Sequence, residues 1–493
     1  MFSRVCLVLV LGLFSATVSS APIIVGSKNF NEGYLLAEIM AQLLEADGFE
    51  VERKFGLGGT MVCYEALVNG EIDLYAEYTG TLSQAILGTN DLTPKVSELN
   101  SQVRDRGLAV LASFGFNNTY AIALKNELAN RRKISRVSEL SQHPDLLMAF
   151  SLEFLNREDG WPGLARTYNL SGRPTGIEHG LAYQAIDEGK IDITDAYSTD
   201  GDLARYGLTV LEDDRGYFPQ YLAVPFVRSS LPEAAKDSLG RLAGILDDEK
   251  IRALNSRTVI EGKSFGEVAS TFIRDEGLAD VPFEEQMGSS MLDNTITHLK
   301  LTAIALGFGC LFGLPLGILV FRNRSLARGV VYLAGLLQTV PSIALLALMI
   351  PIFGIGELPA VIALFMYSIL PILRNTITAL VSIDPLLKRV AEAIGLRRSE
   401  QLWHVLLPMA LPTILAGIKT AAIISIGTAT LAAFIGAGGL GGPIVTGLAL
   451  NDTNLILQGA IPAAGLAIVV ELLFEGLERL LVKPHMLQGQ LPD

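Results

Sequence analysis

Three cysteines are a thin supply for 493 residues. Cys6 stands too early to carry a lipid anchor, and Cys310 sits in an apolar run, so no internal disulfide with Cys63 is expected. Charged residues reach only 18 % and leave a net charge of −13, the wrong sign for a nucleic-acid partner. A nucleotide site is missing too. Gly262-Lys263-Ser264 ends like a P-loop, but position 257 is Arg where that loop needs Gly. Residues 436–441, GAGGLG, match the spacing of dinucleotide sites, yet they follow an apolar run instead of a strand, so a tight turn or close helix packing is expected. No cofactor or metal is expected.

Apolar length is what the chain has in excess. Half of it is hydrophobic and its mean hydropathy is +0.41. The excess sits in residues 295–481, while 22–285 read as an ordinary acidic globular region. Residues 1–21 read as a secretory leader, with Arg4, an apolar core over 5–14 and small residues at Ser19, Ser20 and Ala21. Five membrane spans are expected near 296–320, 330–353, 358–380, 411–435 and 456–481, each about 20 residues or more. A leader puts the N-terminal region outside. Three basic clusters then fall inside: Arg322, Arg324 and Arg328; Lys388, Arg389, Arg397 and Arg398; Arg479 and Lys483.

The N-terminal half repeats itself. Residues 65–78 read EALVNGEIDLYAEY and 184–197 read QAIDEGKIDITDAY. Each unit predicts a helix ended by Gly70 or Gly189, a short strand over Ile72–Leu74 or Ile191–Ile193, then a loop carrying Tyr78 or Tyr197. Two similar α/β lobes follow, and ligands in such sheets sit beyond the C-terminal strand ends. Tyr78 and Tyr197 would face each other across a cleft, near Tyr120 and the Tyr217-to-Tyr221 segment. Converging Tyr rings attract a quaternary ammonium, which offers no ordinary hydrogen bonds. The competing reading makes them half-buried structural residues.

Residues 391–408, AEAIGLRRSEQLWHVLLP, hold Glu392, Ala393, Gly395 and Pro408 in a spacing that resembles the EAA coupling loop of ABC importer permeases. VGSKNFNEGYLLAEIMAQLLEADG, LGGT, GEIDLYAEYTGT, FNNTYAIAL, EFLNREDGWPGL and DAYSTDG resemble the binding proteins of osmoprotectant (glycine betaine, choline, carnitine) ABC importers over about residues 22–282. Residues 290–481 resemble the matching permease. The resemblance implies a cage for a cationic head group at Tyr78, Tyr120, Tyr197 and Tyr221, with Tyr217 an alternative to Tyr221. It implies carboxylate contacts from Lys28, Thr81 and Arg157, and it places Asn118 where some relatives carry an acidic residue. Lys28 precedes Asn31, a plausible N-cap, and a helix N-terminus with Lys suits an anion. Arg157 could instead pair with Glu153, Glu158 or Asp159.

The expected fold is a two-lobed α/β periplasmic-binding-protein domain followed by an all-α type I permease of about five helices. Its expected divisions are a leader at 1–21, the binding domain at 22–282, a linker at 283–294, the permease at 295–485 with its coupling loop at 385–410, and a cytoplasmic tail at 486–493. Such a chain imports quaternary ammonium solutes across an inner membrane, as a lipid-embedded homodimer, using a separate cytoplasmic ATP-binding subunit at Glu392, Ala393, Gly395 and Pro408. Ergothioneine or another betaine is the alternative cargo, and a ligand sensor or channel without ATPase the distant alternative.

Overall fold

The computed structural model describes residues 21–89, 91–281 and 291–482. The expected leader up to residue 20, linker residues 283–290 and the 486–493 tail lie outside the described residues.

Among the described residues, three sheets in two lobes build the N-terminal half. The strands are β1 (Ile23–Gly26), β2 (Val51–Lys54), β3 (Leu74–Tyr78), β4 (Leu108–Val110), β5 (Tyr120–Lys125), β6 (Ala149–Ser151), β7 (Thr175–Ile177), β8 (Ile193–Tyr197), β9 (Leu208–Val210) and β10 (Ala223–Arg228). The first lobe holds the order β2-β1-β3-β10-β4, with β10 antiparallel to both neighbours. The second holds β8-β5-β9 and the parallel pair β6-β7. The chain crosses between lobes after β4 and returns before β10, and the two crossings meet at an antiparallel bridge between Asn117 and Leu222. Helix Asn31–Ala46, fully apolar along Leu35, Leu36, Ile39 and Met40, anchors the first lobe's core and packs on helix Phe265–Asp275.

The repeat is real, with one correction. Gly70 and Gly189 adopt φ of +77° and +67° just past their helices, the left-handed region that costs glycine nothing. The ladders, however, start at Leu74 and Ile193, not at Ile72 and Ile191, and run through Tyr78 and Tyr197 instead of leaving them in loops. Asp73 and Asp192 explain the delay. Their carboxylates accept from the backbone N–H of Ile24 (2.9 Å) and Leu147 (2.8 Å), replacing ladder bonds at the strand entrance.

Among the described residues of the C-terminal half four helices are long and apolar enough to cross a membrane: Met291–Val320, Glu357–Ser382, Arg398–Ile435 (continuous except for local irregularities) and Thr453–Leu481. The expected span at 330–353 is instead two helices, Arg324–Thr339 and Ser342–Phe353, bent by 92°. Pro341 is the cause. It lacks an N–H and forces Val340 into an extended conformation, φ −67° and ψ 127°. The first and third expected spans approach closely through a stripe of small residues. A Cβ at Gly309, Gly313 or Gly317 would lie within 3.0 Å of Ser368, Ile372 or Thr376.

Candidate functional site

A cavity of ≈ 350 Å³ lies between the lobes, at the two crossings. Tyr78, Tyr120, Tyr197, Tyr221, Lys28, Thr81, Arg157 and Asn118 all stand on its wall. Sheet register does the gathering. Tyr120 opens β5 and Tyr197 ends β8, and the two are directly paired, with ring centroids 5.4 Å apart. Tyr221 meets Tyr120 edge-on at 5.6 Å. Tyr217 is not on this wall. Its hydroxyl donates to the backbone carbonyls of Glu158 (2.8 Å) and Gly160 (3.0 Å).

The cations on the wall are already paired. Lys28 forms a buried ion pair with Glu77 while its ammonium lies 5.2 Å from the Tyr78 ring centroid. Asn31 is the first helical residue and not a cap: Phe30 holds the N-cap position, without a side-chain bond. Arg157 takes Asp159 in a two-pronged pair (2.9 and 2.6 Å), lies 3.5 Å from Thr81 Oγ1, and stacks 5.6 Å from the Tyr120 centroid. Tyr221 donates to the same Asp159 at 2.7 Å. Arg157 therefore stands on the cavity wall and makes the expected ion pair to Asp159 as well.

Several wall residues had no signal in the sequence. Phe30 joins Tyr78 (6.3 Å) to Tyr197 (5.4 Å), adding a fifth ring. His179 stacks on Tyr197 at 4.4 Å. Burial opposes charge on His179, but Asp195 and Asp200 outweigh it and push its pKa up to about 10. Its Nε2 lies 3.0 Å from Asp200 and its Nδ1 3.8 Å from Asp195. Glu153 of the second lobe accepts from the Thr60 N–H at 2.9 Å, at the start of helix Thr60–Val68 in the first lobe. Lys28, Arg157 and His179 thus face the carboxylates of Glu77, Asp159, Asp195, Asp200 and Glu153, an acidic surplus.

The membrane half closes one side. Ile343, Leu346, Ala347 and Ile350 of helix Ser342–Phe353, with Phe434 and Ile435, complete the wall. Both lobes touch this half. Leu57 packs into one cluster with Ile355, and Tyr34 OH lies 3.4 Å from Thr446 Oγ1. From the second lobe, Tyr206 OH accepts from Asn451 at 3.1 Å.

At the opposite end, helix Pro385–Ala393 carries Glu392 and Ala393 in its last turn. Gly395 turns the chain at φ +85°, and Pro408 sits in the first turn of helix Leu407–Ala429. All four are exposed. Leu386, Val390 and Ile394, spaced by four, are 61, 49 and 69 % exposed, and Trp403 is 68 % exposed. An apolar stripe this bare on a polar loop marks a docking face.

A receptor cleft on a membrane body defines a binding-protein-dependent transporter. Residues 21–275 match the substrate-binding domain of ABC-type glycine betaine transport systems, and 309–483 the inner-membrane component of binding-protein-dependent transport systems. The chain belongs to that glycine betaine transport family, and it joins the substrate-binding and permease domains of an osmoprotectant ABC importer in one polypeptide. It is a multi-pass inner-membrane transporter component, not a catalyst. It is 42 % identical over 206 residues to the choline transport system permease protein OpuBB of Bacillus subtilis (strain 168), covering 42 % of this chain and 95 % of that one. It is 46 % identical over 200 residues to the osmoprotectant import permease protein OsmW of Salmonella typhimurium, covering 38 % and 93 %. A crystal structure of a glycine betaine/carnitine/choline ABC transporter aligns at 26 % identity and a TM-score of 0.45, covering 52 % of this chain and 99 % of that one.

Proposed function

We propose that this chain captures glycine betaine, choline or carnitine outside the cell and passes it through its own membrane half, driven by a separate ATP-binding subunit. One observation carries the reading: four tyrosines and a phenylalanine converge on one cavity, and the cations on its wall, Lys28, Arg157 and His179, are outnumbered by the carboxylates on and behind it, Glu77, Glu153, Asp159, Asp195 and Asp200. Ring faces and net negative charge both favour a cation that cannot be hydrogen-bonded. Lys28, Thr81 and Arg157, beside the cage, receive the carboxylate of a betaine or carnitine, Arg157 with its planar fork. Asn118 holds the cage's floor. The exposed stripe around Glu392, Ala393, Gly395 and Pro408 receives the ATPase on the cytoplasmic side, where the basic clusters put it. Four spans and a bent helix pair enclose no path alone, so two copies pair in the membrane.

Calorimetric titration of the purified full chain with glycine betaine, choline, carnitine and ergothioneine tests this. Tight binding of one of the first three, abolished in Tyr78→Ala, supports it. Binding of ergothioneine alone moves the cargo, and binding of none refutes the quaternary-ammonium reading.

A further inference from the structure

Glu32 is the second residue of the receptor's first helix, 1 % exposed, and is not part of the cavity wall. Four donors converge on its carboxylate. Tyr78 OH (2.6 Å) and Asn118 Nδ2 (2.8 Å) reach Oε1. Thr199 OH (2.5 Å) and Asn255 Nδ2 (3.0 Å) reach Oε2. Two of those donors, Tyr78 and Asn118, are wall residues. Thr199 follows β8 in the second lobe, Tyr78 belongs to the first, and Asn118 lies on the crossing between them. Among the described residues no basic side chain bonds Glu32, in contrast to Glu77 and Asp159, which are matched by Lys28 and Arg157.

We infer that Glu32 is a positioning residue that gives the cage its uncompensated negative charge, delivered through Tyr78 and Asn118, and that ties that charge to lobe closure through Thr199. The inference rests on the quaternary-ammonium reading above. A phenol donating to a carboxylate is polarised, and its ring face becomes more negative. The Asn118 amide is held with its N–H toward Glu32, so its carbonyl oxygen is the end left free. A neutral amide on the wall therefore acts with an acid standing behind it. Burial pushes the Glu32 carboxyl up from its ordinary range, while the hydrogen bonds from Thr199, Tyr78 and Asn255 favour the carboxylate; screened from solvent, that carboxylate's field on a caged cation is felt at low effective dielectric. A net cation such as choline gains all of this. A zwitterion such as glycine betaine gains less, because its own carboxylate is repelled.

The test uses the purified full chain and two ligands, choline and glycine betaine. Glu32→Gln keeps the shape. Asn118 Oδ1 and Asn255 Oδ1 are both buried without a partner, so an amide turned over at either accepts the new N–H. Glu32→Asp keeps the charge. In Glu32→Gln, choline affinity falls on the order of 10-fold and glycine betaine affinity about 3-fold, so the ratio between the ligands shifts. In Glu32→Asp the ratio stays at its wild-type value even where both affinities drop. An unchanged ratio in Glu32→Gln, whether affinities hold or fall together with melting temperature, overturns the inference and leaves the cage reading intact. Failure of the wild-type chain to bind either ligand overturns the inference, and failure to bind carnitine as well overturns the cage reading with it.

Discussion

Gly180 is the second residue of helix His179–Asp187 in the second lobe, and it faces the membrane half across a gap that admits no side chain. A Cβ there would lie 2.4 Å from the Ala449 carbonyl oxygen and 3.0 Å from that of Leu448. Both atoms are backbone, so neither can swing aside. Overpacking of this kind costs about 1–3 kcal/mol, or roughly a 5- to 150-fold loss in docking. Within the helix the same change is favourable, because Ala replaces Gly at a gain of about 0.5–1 kcal/mol. Gly180→Ala is therefore expected to stabilise the receptor and weaken its seat at once. Gly180→Leu weakens the seat further. Ligand binding, measured by calorimetry on the full chain, should stay within about 2-fold of wild type. Uptake into vesicles supplied with the ATPase subunit should fall in the order Gly, Ala, Leu. Covalent tethering, which holds the receptor at roughly mM effective concentration, softens the Ala effect without cancelling the Leu one. Wild-type uptake by Gly180→Leu, or loss of ligand binding in step with uptake, would refute the docked geometry.

Tyr120→Ala removes a desolvated ring from the cage and should weaken choline binding by about 2 kcal/mol, roughly 30-fold by calorimetry, while Tyr120→Phe keeps the ring face and most of the affinity. His179 has a folded pKa of about 10, well above the unfolded value near 6.5. Its contribution to stability is full below pH ~6.5 and is lost as pH rises through about 10. A melting-temperature series from pH 6 to 10 should slope downward in the wild type and flatten in His179→Gln. Ile394→Asp puts a charge on the exposed stripe and should abolish co-purification of the ATPase subunit with ligand affinity untouched. Gly395→Ala, forced to φ +85°, should lose about 1 kcal/mol locally and reduce uptake less severely than Ile394→Asp.

Much of the site could be read from the chain because its parts repeat. The helix–Gly–strand–Tyr unit recurs, so Tyr78 and Tyr197 could be set opposite each other before any coordinates. The crossings carry Asn118, Tyr120 and Tyr221 because a two-lobed fold brings its ligand to its hinges. Phe30, His179 and Glu153 were invisible for the opposite reason. Phe30 and Glu153 take their places only when one lobe closes on the other, as Glu153 does on the Thr60 N–H, 93 residues away in sequence, while His179 meets Tyr197, Asp195 and Asp200 only once its own lobe has folded. Glu32 looked like any first-turn acid, a residue favourable at a helix N-terminus on local grounds alone. In the membrane half, hydropathy located the spans but could not tell a straight one from a bent one. Proline in apolar helices is often tolerated, as Pro315 and Pro371 are here inside long helices. Only packing distinguishes them from Pro341.

The wall that Leu346 and Ile350 lend to the receptor's cavity changes the kinetic order of delivery. In a system with free receptors, hand-over is a collision, and flux rises with the number of receptors made. Here the donor and the acceptor of the cargo are two parts of one molecule, so hand-over is first order in the transporter. Extra receptor supplied separately would compete for cargo without speeding its entry. Capacity is then set only by how many copies of the chain the membrane holds.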